Sequence, residues 1–376
     1  MHCLLHADDT AIVSTNRTLF IKKCNLMLQY FNENSLSLNF PKSSYLIING
    51  NSDIHVKADL KLDFGILEYK PSVVYLGAVI SDNGNISSDI EEYIDGKRAN
   101  VTIKYNNFVR KNVMAPLPIK LKVLDVCVTS SLLYGCEIWG TSKIPSVEVI
   151  YRLGLKRALS VRDTTNTEIV YIEADRYPLS IRISKQQLKF LKSLTTYLQE
   201  NPQHPLCRLI DTGRRIHLNY ISYYENLERE YDDPFKCQQL LKQNFCNDWN
   251  NKFRREADND IDSRLGTYLQ VNPRLEAPKH TNNILECERI KLTRYRSGSH
   301  NLQIETGRWS NPRVDRDERF CSCMTGTQSI RHCLFDCPLL NELYAEYPLI
   351  SVEEAFKMNN IVKFFIKMEK ILNIKM

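Results

Sequence analysis

The chain has 376 residues, 43% of them hydrophobic and 25% charged, with a net charge of +6. That is length enough for two or three domains, and a modest positive charge permits nucleic-acid binding without requiring it. No apolar run reaches the roughly 18 residues of a membrane span, and Asp8-Asp9 interrupts the first apolar stretch, which excludes the pattern of a secretory leader. Twelve cysteines without such a leader fit a reducing, intracellular compartment, nucleus or cytoplasm, with no membrane partner.

In chain order, Cys3 to Ser14 reads as strand, tight turn, strand, with Asp8 and Asp9 at the tip of an apolar ribbon. A helix is expected over about 18–35, with Leu19, Ile21, Leu26, Leu28 and Phe31 as its apolar members. Leu36 to Ile48 reads as an extended arm, a turn at Pro41 and a β-rich strand, and Tyr75 to Ile80 as a further strand ending at Asp82-Asn83-Gly84. At Ser88 the period changes. Ser88 and Glu91 form a capping box, followed by Ile90, Ile94, Val101, Tyr105 and Phe108 at helical spacing. The run 119–134 is apolar nearly all round, as in a buried helix. Further helices are expected near 146–160, 180–199 and around Leu241, Phe245, Trp249 and Phe253. The polar stretch 254–283 reads as a linker, 284–345 as a compact cysteine-containing unit, and Val352 to the end as an amphipathic helix. The expected fold class is α+β, mostly α, in segments 1–84, 85–165, 166–283, 284–345 and 346–376.

Two constellations carry chemistry. Adjacent carboxylates on an apolar ribbon are costly unless cations meet them, and a pair of divalent metal ions about 4 Å apart is the natural partner when phosphates are handled; an Asp-Asp pair also suits a solvated turn. Near the C-terminus, Cys321-x-Cys323, His332 and Cys337 offer three thiolates and one imidazole, the donor set of a tetrahedral structural zinc. The alternative is a small core of free thiols. Cys333 is the spare sulfur. Around this cluster Arg289, Lys291, Arg294, Arg296, Arg308 and Arg313 mix with aromatic residues. Arginine suits phosphates and aromatic rings suit unpaired bases, although interleaved acids also fit a solvated, salt-bridged surface. Trp309 reads as a local core anchor or a stacking platform.

The order of these features resembles the non-LTR retrotransposon reverse transcriptases. Leu5-His6-Ala7-Asp8-Asp9-Thr10 resembles their aspartate-pair motif, in which an aromatic residue usually stands where His6 does. Leu38-Asn39, Lys42 and Ser43 resemble the next palm motif, and Tyr75-Leu76-Gly77 the primer grip. The helices from Ser88 to about Leu159, with Leu133-Tyr134-Gly135-Cys136-Glu137-Ile138-Trp139-Gly140, resemble the thumb. The run Leu292 to Leu302, Glu305 to Trp309 and the cysteine–histidine cluster resemble the family's C-terminal segment.

The resemblance implies a palm end at 1–84, a thumb at 85–165, a helical connector and a zinc segment. It makes Asp8 and Asp9 ligands of Mg2+ in a two-metal site. It places His6, Lys42, Tyr75, Leu76, Gly77, Arg294, Arg296 and Arg308 at primer or other nucleic acid, with RNA and DNA as partners. In that family a first catalytic aspartate, the nucleotide-binding motif and the fingers precede the pair, whereas seven residues precede Asp8 here. The expectation is an RNA-directed DNA polymerase fragment, inactive alone, with residual nucleic-acid binding. The alternatives are a non-catalytic, zinc-dependent nucleic-acid-binding or interaction protein, or a remnant without function.

Overall fold

Short β-rich stretches and longer helical periods sort into a small mixed unit and a larger helical one. The computed structural model describes residues 3–48, 57–84, 86–139, 145–204, 206–208, 210–211, 219–278 and 284–374. The chain divides into two compact units, Met1–Lys97 and Arg98–Met376, where five segments were expected.

In the first unit, β1 (Cys3–His6) and β2 (Asp9–Ile12) pair antiparallel, with His6 opposite Asp9. The two-residue connection holds Ala7 at φ 52°, a left-handed conformation that non-glycine residues adopt mainly in tight turns. A helix, Arg17–Glu33, starts on Asn16, whose side chain accepts from the Leu19 N–H, close to the expected span. Its Cys24 and Leu28 pack with Tyr45, Leu60, Leu62 and Leu67 into a small core. These residues come from β3 (Ser44–Tyr45), β4 (Leu60–Leu62) and β5 (Gly65–Tyr69); β5 lies between the others, parallel to β3 and antiparallel to β4. Alternation in β4 sends Leu60 and Leu62 inward and Lys61 outward.

Tyr75 to Ile80 holds the end of one strand, a two-residue turn and the next strand, which corrects the single strand expected there. β6 (Ser72–Tyr75) and β7 (Ala78–Ser81) pair antiparallel around Leu76-Gly77. Both turn residues have positive φ, 48° and 79°, as the tight turns matched to strand twist require. Among the described residues the acidic hairpin remains a separate two-stranded ribbon.

The long helix Ile86–Lys111 crosses the division between the units. It starts before Ser88, so the expected capping box falls inside it, and the side chains of Ser88 and Glu91 lie outside the described residues. Residues 117–132 are helical throughout, with a π-helical stretch at Leu124–Thr129. Leu121, Leu124, Val128 and Leu132 face inward, while Ile119 and Val126 are exposed, so this helix is not buried all round. The helix Pro145–Leu159 presents Gly154 to Leu124; a Cβ there would stand 2.4 Å from Leu124 Cδ1.

Leu179–Glu200 packs along Pro234–Asn259, which packs in turn on Arg264–Val271. Residues 254–271 are therefore mostly helix and not linker. Ser263 caps the last of these helices, and Leu265, Tyr268 and Val271 are buried. Part of the expected linker, 279–283, lies outside the described residues. The C-terminal helix is two helices, Val352–Lys357 and Ile361–Ile371. Their Phe356, Phe364, Phe365 and Met368 share one core with Tyr295, Leu302, Cys321, Cys333 and Leu340. The cysteine-containing segment and the C-terminal helices thus fold around each other; Tyr295 and Phe365 stack with centroids 3.9 Å apart.

Candidate metal centre

Two local structures assemble the cysteine–histidine cluster. Phe320 and Thr327 form an isolated antiparallel bridge. Within it the Cys321 N–H donates to Gly326 O at 2.8 Å and the Met324 N–H to Cys321 O at 2.9 Å, with Met324 at φ 59°. This knuckle carries Cys321 and Cys323. A helical turn, His332–Asp336, presents His332 and ends at Cys337, whose N–H donates to His332 O at 2.9 Å and to Tyr344 Oη at 3.0 Å. Pro338 then opens a short 3-10 helix.

The donor atoms of Cys321, Cys323, His332 and Cys337 all lie within 4.8 Å of one another. Cys321 Sγ and Cys337 Sγ are 3.7 Å apart, and Cys323 Sγ and His332 Nε2 are 3.2 Å apart. A tetrahedron with metal–sulfur bonds of about 2.3 Å has edges of about 3.8 Å, so the four donors fit a zinc ion with little adjustment. Cys321, His332 and Cys337 are buried and Cys323 is half-buried. Four protein donors would fill the tetrahedral coordination sphere of a bound zinc, as in structural sites.

Hydrogen bonding led by the Cys333 thiol, with further bonds from the neighbouring backbone and thiols, holds Cys321 down at about 4. Burial pushes Cys337 up to about 12. Without metal the crowded sulfurs share little negative charge, and a divalent cation would let the others deprotonate. Cys333 itself is buried beside Cys321 and lies outside the four-donor set.

Asp8 and Asp9 are both exposed at the hairpin. Among the described residues no third acidic, cysteine or histidine donor joins them; the Cys–His set is the only group of three or more. The expected Mg2+ site thus lacks support in the side-chain arrangement. His6 and Lys42 are exposed, Tyr75 and Leu76 are half-buried, and Gly77 is exposed in its turn.

The basic run before the cysteine–histidine cluster faces largely inward, and the expected nucleic-acid contact at Arg296 is corrected. Arg296 is 4% exposed, and its Nε donates to Glu173 Oε1 at 2.9 Å; Tyr268 Oη donates to the same oxygen at 2.6 Å. Arg289 and Lys120 are buried on Glu286, each at under 3 Å. Arg319 and His300 are buried as well. Arg294 is exposed, yet its Nε donates to Ser160 O at 2.9 Å. Buried guanidinium groups need acceptors: Arg289 finds Glu286 on its own helix, Arg319 the Val314 and Ile304 carbonyls, and Arg296 a carboxylate on a distant helix. The one signal in the sequence was Glu173, a lone charge in the apolar run from Ile169 to Ala174. Two expected groups do face outward: Arg308 is half-buried, and Trp309 is 53% exposed, which removes the core-anchor reading of that residue.

Compared with known proteins, the chain matches no family model, no curated protein and no solved structure.

Proposed function

We propose that this chain is a zinc-stabilised nucleic-acid-binding protein descended from a non-LTR retrotransposon reverse transcriptase, and that it does not polymerise on its own residues. The observation that carries the reading is the closed Cys321–Cys323–His332–Cys337 set, four donors at tetrahedral separations inside an apolar core. Zinc there would supply no catalysis. It would hold the turn that carries the exposed Arg331 beside His332. The order of the acidic hairpin, the Asn39-capped turn, the Leu76-Gly77 turn and the helices that follow supports the ancestry. Against polymerase activity stand the exposed aspartates without a third ligand among the described residues; two-metal transfer needs carboxylates that flank both ions.

The purified full chain, titrated into labelled RNA, tests this. Affinity is expected to fall steeply with salt, since phosphate contacts release counterions, and to drop on zinc chelation. Asp8→Asn with Asp9→Asn leaves it unchanged. A primer–template incubated with labelled nucleotides stays unextended. Binding indifferent to salt and zinc overturns the first half of the proposal, and an extended primer overturns the second.

A further inference from the structure

Five arginines, Arg264, Arg296, Arg308, Arg316 and Arg331, line one cleft in the second unit, against two carboxylates, Asp262 and Glu305. Three of the five are already neutralised. Arg296 is held by Glu173 and Arg316 by Asp260 at 2.5 Å. Arg264 grips both oxygens of Glu305, at 2.5 and 3.4 Å. Arg308 reaches Glu305 only at 3.7 Å, on an oxygen that Arg264 also contacts. Arg331 is exposed and its side chain has no ion pair among the described residues. Asp262 adds its charge on the Arg316 side. Arg331 therefore brings a guanidinium without an ion pair to the cleft, and Arg308 one that shares the Glu305 carboxylate with Arg264.

The remaining polar groups are of both kinds: the Ser329 hydroxyl accepts from the His332 N–H at 3.2 Å, and the Gln270 amide donates to Ile261 O at 3.0 Å. His300 Nδ1 accepts from the Leu302 N–H at 3.3 Å, which leaves the imidazole proton on Nε2. Burial and the cations of Arg162, Arg264 and Arg308 push His300 down to about 3, so it is neutral at physiological pH. Burial lowers Arg308, against the pull of Glu305 and with the help of Arg264, Arg319 and Arg316. The cleft has a volume of about 90 Å³, room for a small anion such as a phosphate group. Next to Arg308 in the chain stands the exposed indole of Trp309, a surface on which an unpaired base can stack.

We propose that this cleft takes a backbone phosphate of single-stranded nucleic acid on Arg308 and Arg331, with the adjoining base stacked on Trp309. The proposal rests on the nucleic-acid-binding reading above and narrows it to a strand class and a site. Guanidinium groups suit phosphate oxygens because their paired donors match them, and an unpaired base is needed because a duplex hides its ring faces.

Fluorescence anisotropy of the full chain with a labelled single-stranded RNA and a labelled duplex tests it. The double variant Arg308→Gln with Arg331→Gln should bind the single strand about tenfold more weakly. Its salt slope should fall by about 0.7, the value for one lost phosphate contact on a single strand. Inorganic phosphate should compete with RNA on the native chain. Trp309→Ala should weaken the single strand about tenfold with the salt slope unchanged, and leave the duplex alone. Zinc content and melting temperature report whether each variant is folded. Native chain that binds RNA, with both variants matching it, overturns the cleft and leaves nucleic-acid binding standing. Native chain that ignores RNA, while inorganic phosphate raises its melting temperature and not that of the double variant, overturns the nucleic-acid assignment itself.

Discussion

Glu173 lies fully buried at the end of an apolar helix, with one oxygen shared by Arg296 and Tyr268 and the other unpartnered among the described residues. Removing the cation while keeping the volume, as in Arg296→Met, leaves that carboxylate uncompensated and is expected to lower stability by about 3–5 kcal/mol. Adding Glu173→Gln should restore part of the loss; urea unfolding of the single and double variants checks this, and a double variant no better than the single would contradict it. His300 gives a pH dependence. Unfolded, a histidine titrates near 6.5; here burial and nearby arginines push it to about 3. Between those values the folded state binds fewer protons than the unfolded one. The contribution is whole above pH 6.5 and is lost as pH falls toward 3, at up to about 1.4 kcal/mol per pH unit. His300→Asn retains an acceptor for the Leu302 N–H and has no such titration. Its stability should decline less steeply than the native chain's between pH 6 and 4, and parallel curves would refute the assignment.

Among the elements, helices were legible and their surroundings were not. The apolar spacing of Arg17–Glu33, Pro145–Leu159 and Leu179–Glu200 placed them within a residue or two. The Tyr75-Leu76-Gly77 turn was read as strand because β-forming residues flank it; the glycine was the better signal, since the turn needs two positive φ angles. The helix Glu286–Arg296 reads from sequence as a basic surface, and its counterions on Glu173 and Glu369 are separated from it by many residues, beyond any periodicity. The cysteine–histidine cluster was legible because a donor set within one knuckle and one turn is local. Close packing between helices is testable at Gly154. A methyl group there would meet the buried Leu124 side chain at 2.4 Å, and that side chain must shift within the packed core. Gly154→Ala is expected to destabilise by about 1–3 kcal/mol through overpacking, despite alanine's better helix propensity. A more stable variant in thermal melting would show that the contact relaxes freely.

At the scale of the molecule, each unit has its own core, and the larger one ends in helices wrapped on the cysteine–histidine knuckle. Cys321, Cys333 and Cys337 belong to the same core as Phe356, Phe364, Phe365 and Leu372. Metal binding should therefore stabilise far more than the ligand loop, because the free energy of chelation enters the folding of everything packed on it. Small domains that close around zinc commonly unfold without it. The mass of zinc per mole of purified full chain, measured together with the melting temperature before and after chelation, decides the matter. The account predicts one zinc per chain, lost in Cys321→Ser and in Cys337→Ser, with a lower melting temperature for the chelated protein. A metal-free chain that melts where the metal-loaded one does, with all four ligands free to react, would contradict it.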